Sequence, residues 1–153
     1  MRLESSAFKD GDPIPDEYSR DGGDASPPLS WSGVPENARS LVLLCDDPDA
    51  PRGTWVHWVL FDLPPKLTQL PAGVPQGDEP SVGGVQGKND YGDVGWGGPQ
   101  PPRGHGVHHY SFRLSALDRM LKLPPGSTLA QVEAAMKGHV LGEARLTGTY
   151  RRD

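Results

Sequence analysis

The sequence predicts a mainly β domain with long, conformationally constrained loops and one clear helix late in the chain. Three observations carry this. Residues 41–45 and Trp55–Leu63 are short apolar runs, the second rich in aromatic and β-branched residues and closed by Pro64-Pro65. Residues 107–117 alternate with the period of two expected of a half-buried strand. Glycine (20) and proline (17) make up close to a quarter of the 153 residues. That level approaches low complexity, but strand-like blocks recur between the loops, so the composition describes a folded β-protein. The length suits a single domain, residues 1–153, with a sizeable core.

Taken in order, residues 1–26 are polar and turn-rich, and 26–31 (Ser-Pro-Pro-Leu-Ser-Trp) are extended. The unbroken apolar run at 41–45 predicts a strand covered on both faces. It leads into Asp46-Asp47-Pro48-Asp49-Ala50-Pro51, where two prolines stiffen an acidic turn. In the next strand, period-two geometry puts Trp55, His57, Val59 and Phe61 on one face. Residues 67–103 are irregular, and a stretch of that length is functional or hides a short strand, for which 81–86 is the candidate. On the 107–117 strand, His108, Tyr110, Phe112, Leu114 and Ala116 face the core while His109 faces solvent. Thr128-Leu129-Ala130-Gln131 reads as a capping box opening a helix whose apolar stripe is Leu129, Val132, Ala135 and Met136. Gly138 stops or kinks it, a short second helix is expected over 139–145, and 146–150 reads as a closing strand.

A formal net charge of −5 and the lack of a basic stripe argue against nucleic-acid binding. Residues 1–9 contain no apolar signal core and no stretch reaches transmembrane length, so a soluble, non-integral protein is expected. The single cysteine, Cys45, forms no intrachain disulfide and suits a reducing, cytoplasmic setting. No P-loop, dinucleotide fingerprint or nucleophile elbow is present.

The chemistry-bearing residues are His57, His108 and the acidic turn. A lone inward histidine is usually a satisfied core group. Two of them on separate strands, with carboxylates between, point to a polar cavity, because burying imidazoles elsewhere is costly. Asp47 is the carboxylate expected at the site; Asp46 and Asp49 are expected to shape the turn. The loop Gly97-Gly98-Pro99-Gln100-Pro101-Pro102 can bring backbone N–H groups close to a ligand and hold one shape. His57, His105, His108 and His109 are potential metal ligands, but adjacent strand residues point to opposite faces, so no metal is expected.

These segments, in this order, resemble the phosphatidylethanolamine-binding protein family in its bacterial and archaeal Raf-kinase-inhibitor-like branch. The resemblance rests on 26–31, Asp47-Pro48-Asp49-Ala50-Pro51, Trp55-Val56-His57-Trp58, Gly97-Gly98-Pro99 through Gly106-Val107-His108-His109-Tyr110, and 138–141 to 148–150, and spans about residues 20–151. It implies a two-sheet antiparallel β-sandwich with one or two short C-terminal helices. It also implies a small anion pocket at one end, to which Asp47, His57, Gly98, Pro99, His108 and Tyr110 contribute. Members bind phosphate-like anions and phospholipid headgroups, and some eukaryotic ones inhibit kinases or proteases. The implied partner is therefore a small anionic or phosphorylated ligand, then a kinase or protease, with a homodimer as the implied assembly. No cofactor is implied. His109 stands where the family usually has Arg, and Gln100 where the bacterial branch often has Cys, which removes thiol chemistry at that point. The expected mechanism is non-enzymatic: protonated His57 and His108 with loop N–H groups hold the anion, and Asp47 orients a histidine. The alternatives are a weak hydrolase with His57 as base and Asp47 as its orienter, and an interaction protein whose pocket is vestigial.

Overall fold

In the computed structural model, which describes residues 1–153, the largest element is a five-stranded sheet built around one strand. That strand, β3 (Ser40–Asp47), follows β1 (Arg2–Glu4) and β2 (Leu29–Ser32) in the chain. After it come β4 (Trp55–Leu63), β5 (Gln69–Leu70), β6 (Val85–Gln86), β7 (His108–Leu117), helix α1 (Leu129–Met136) and β8 (Val140–Tyr150). The large sheet has the order β6-β4-β3-β7-β8, and β1-β2-β5 form a second, three-stranded sheet, with every pairing antiparallel.

The apolar run of β3 is continuous because both faces of the strand are covered. Leu41, Leu43 and Cys45 join Trp58, Leu60, Phe112 and Leu114 in the core that also holds Leu3, Leu29 and Trp31 of the small sheet. Val42 and Leu44 point the other way, against Val59, Phe61, Leu117 and the α1 residues Val132 and Met136. The expected capping box is present: Thr128 Oγ1 accepts from the Gln131 N–H, and Gln131 Oε1 accepts from the Thr128 N–H. Gly138, at φ +80°, ends the helix. The hidden strand lies at Val85–Gln86, inside the expected 81–86.

Two expectations are corrected. Residues 139–145 are not a second helix; from Val140 on they are the first half of β8, paired with β7 from Val140 opposite Leu117 onward. Gly142 interrupts the inward series, so the alternation of exposed Glu143 and Arg145 with buried Ala144 and Leu146 reads weakly in the sequence. A ten-residue neighbour strand offers a full ladder of hydrogen bonds, which outweighs the local preference for helix.

The second correction concerns β4. Cys45 lies opposite Trp58 and Asp46 opposite Val56, so His57 is the extra residue of a β-bulge. Period two therefore breaks at this point. Val59 and Phe61 face the helix, whereas His57 turns to the side of Trp58, within ring contact of Trp96 and Tyr110. The bulge aims the histidine into the end of the sandwich.

Candidate functional site

Asp47 ends β3, Trp55 and His57 begin β4, and His108 and Tyr110 begin β7, so the strand order gathers them at one end of the large sheet. They line a cavity of about 280 Å³. Its remaining wall comes from Ala50 and Pro51 of the acidic turn, from Tyr91, and from Gln100, Pro101 and Pro102. That size fits a headgroup or small anion rather than a drug-sized ligand.

The polar groups are tightly specified. His108 Nδ1 lies 2.6 Å from Asp47 Oδ2, and because a carboxylate only accepts, Nδ1 carries the hydrogen. The other Asp47 oxygen, Oδ1, accepts the Asp49 N–H at 2.8 Å. Both oxygens of this buried carboxylate are thus engaged inside the protein. His108 Nε2 lies 2.6 Å from Nδ1 of His105, an exposed residue on the loop before β7. The two rings are within hydrogen-bond distance of each other.

His57 is held differently. Its Nδ1–H donates to the Gly97 carbonyl at 2.6 Å, and the Gly97 N–H donates back to the His57 carbonyl. Burial lowers its pKa from 6.5 to about 4, against the raising effect of the Gly97 carbonyl and the Asp47 charge. At neutral pH this ring is uncharged and offers Nε2 as an acceptor. The expected protonated donor at His57 is corrected accordingly, as is the Asp47–His57 pairing of the hydrolase alternative; the histidine that Asp47 orients is His108. Tyr110 is fully buried and its hydroxyl has no hydrogen-bond partner within the fold. Burial raises its pKa, so it stays a neutral O–H. Tyr91 is pushed up to about 12 by burial; its hydroxyl donates to the Gly98 carbonyl and its ring lies 4.0 Å beneath the Arg20 guanidinium.

Gly98 and Pro99 stand behind the cavity wall. The Gly98 N–H donates to Asp24 at 2.7 Å, and the Pro99 carbonyl accepts the Arg20 N–H. A Cβ on Gly98 would lie 2.3 Å from the Tyr18 carbonyl oxygen, so glycine is required there by packing against backbone. The Gly97 and Gly98 N–H groups expected to meet a ligand are spent on internal bonds, and Gln100 to Pro102 form the wall instead. Asp46 pairs with Arg113 at 3.0 Å on the strand, and Asp49 clamps both the N–H and Nδ1 of His109. His109, exposed as expected, thereby ties the acidic turn to β7. Sequence reasoning passed over Tyr91, an isolated aromatic in a polar loop, and placed His105 only among possible metal ligands. No periodic signal reports on side-chain direction in such loops.

The architecture is a two-sheet β-sandwich carrying a carboxylate- and histidine-lined pocket at one end of its larger sheet. The chain belongs to the phosphatidylethanolamine-binding protein family, whose profile matches residues 4–151. It is 54% identical over 152 residues to a UPF0098 protein of Methanothermobacter thermautotrophicus, covering 99% of each chain. The crystal structure of E. coli YbcL, described as a member of the mammalian family, is 32% identical and superposes with a TM-score of 0.92 over 99% of this chain and 98% of YbcL. A Mycobacterium tuberculosis relative, 40% identical over 98% of this chain and 72% of its own length, bears the name of a lipoprotein, LppC. No helix here is long and apolar enough to cross a membrane.

Proposed function

We propose that the pocket binds a small anion of the phosphoryl type, free or as the headgroup of a larger molecule, and that the protein acts by binding rather than by catalysis. The observation that carries this reading is the Tyr110 hydroxyl, a fully buried donor without a partner on the lining of a small cavity. An orphan donor of this kind costs stability unless a ligand or water accepts from it. The Asp47 charge does not oppose an anion strongly, since both its oxygens are occupied and His108 sits against it.

No lysine or arginine lines the cavity. His108, with a ring nitrogen 2.6 Å from one of His105, supplies an imidazole group at the cavity in their place. Calorimetric titration of the protein with inorganic phosphate, beside Tyr110→Phe, tests the reading; absent binding, or binding unchanged in the variant, counts against it. The buried Asp47–His108 pair also favours a second reading, a hydrolase with His108 as general base. No serine, threonine or cysteine lines the cavity to serve as nucleophile, and the binding reading therefore stands first. A regulatory protein partner would act through the rim, where Trp55 is exposed beside the mouth. The one buried thiol, Cys45, is compatible with a reducing, cytoplasmic setting.

A further inference from the structure

The pocket offers an acceptor where a fully deprotonated oxyanion would want a donor. His57 is 2% exposed, its Nδ1–H is committed to the Gly97 carbonyl, and Nε2 makes no hydrogen bond within the protein. A carbonyl only accepts, so this tautomer is enforced by the backbone, and the bulge that aims the ring makes the arrangement rigid. Next to it the Tyr110 ring packs edge-on at 5.0 Å, and its hydroxyl can only donate to an anion. An acceptor and a donor on one cavity lining match a group that bears both a P–OH and a P–O⁻.

We infer that the site recognises a phosphoryl group through a proton that the group itself carries, His57 Nε2 accepting from the P–OH while Tyr110 donates to a second oxygen. This rests on the anion reading above and narrows it to protonated phosphate or a phosphate monoester monoanion. Sulfate has the same shape and charge range but carries no proton near neutrality. It leaves the His57 lone pair facing an oxyanion lone pair, with both unsatisfied. Discrimination of this kind is steep, because a buried polar group without its partner loses the full value of the bond.

The charged and titratable groups around His57 are Asp47 from β3, His108 and Tyr110 from β7, Tyr91 and Asp90 from the connection after β6, and Arg20 from the N-terminal segment. Charge on any of these acts on phosphate and sulfate alike. The ratio of the two affinities therefore isolates the His57 contribution.

The test is calorimetry on the full chain with inorganic phosphate and with sulfate at pH 6 and pH 8. We expect phosphate to bind at least about tenfold more tightly than sulfate at pH 6. The ratio should persist at pH 8, because hydrogen phosphate still carries one P–OH there and sulfate carries none. In His57→Gln, whose amide can also turn an N–H toward the ligand, the pH 6 ratio should fall to about threefold or less. Equal affinity of the wild-type protein for the two anions overturns this inference and leaves the anion reading standing. Binding of neither anion overturns both. If His57→Gln does not fold, the wild-type ratio at the two pH values still decides.

Discussion

Replacing Tyr110 by Phe removes one oxygen and leaves every ring contact in place. The side chain is fully buried on β7, opposite Gly148 of β8, and packs edge-on to His57. Its hydroxyl has no partner within the fold, so the substitution deletes a desolvation cost and no hydrogen bond. A buried unsatisfied donor costs about 1–3 kcal/mol, and we expect the variant to be more stable than the parent by about 1 kcal/mol in ligand-free buffer. Binding should move the opposite way. A neutral donor to an anion contributes about 1.5–3 kcal/mol, so phosphate affinity should drop by about ten- to a hundredfold. Urea denaturation gives the first quantity and calorimetry the second. The opposed signs make the test sharp, since a hydroxyl held inside the fold would lose stability on removal. A Tyr110→Phe variant destabilised by more than 1 kcal/mol, or one that binds phosphate as well as the parent, refutes the assignment.

Three further outcomes are expected. His57 has its pKa lowered in the folded state from 6.5 to about 4, so the unfolded chain takes up its proton first. Its contribution is present above pH 6.5 and is lost as pH falls toward 4, amounting to about 3 kcal/mol in all; denaturation series across that range should show this slope in the parent and not in His57→Gln. Removal of His105 by His105→Ala takes away the ring nitrogen 2.6 Å from His108 Nε2, so the ¹⁵N shift of His108 Nε2 should move at fixed pH, whereas an unchanged shift would mean the two rings are not hydrogen-bonded. Gly98→Ala drives a methyl group against the backbone of Tyr18 and Ser19; it should cost at least about 1–3 kcal/mol and weaken phosphate binding by displacing Gln100 to Pro102, measured by melting and calorimetry together.

Much of this fold is legible in the sequence. The apolar run of β3, the aromatic and β-branched run of β4, the alternation of β7 and the Thr128–Gln131 capping box each encode their own element, because burial on two faces, burial on one face and capping leave different residue patterns. His108 and Tyr110 could be assigned inward for the same reason. The direction of His57 could not: a bulge depends on which residue of the partner strand it faces, and Cys45 and Asp46 settle that only in three dimensions. The first half of β8 was hidden by Gly142 and by residues with good helix propensity, and the two-residue strands β5 and β6 have too few positions to show a period. In the pocket, the type of each chemical group was readable while its proton was not. Whether His57 donates or accepts is decided by the Gly97 carbonyl forty residues away.

Asp47, His57, His108 and Tyr110 line one cavity, and the phosphoryl anion is proposed to sit there. Backbone amide chemical-shift mapping on the full chain titrated with inorganic phosphate at pH 6 tests it directly. The expected perturbations cluster at the end of β3, the start of β4, the start of β7 and residues 97–102, and saturate with one affinity. Saturable shifts centred on another face, or none at any phosphate concentration, contradict it.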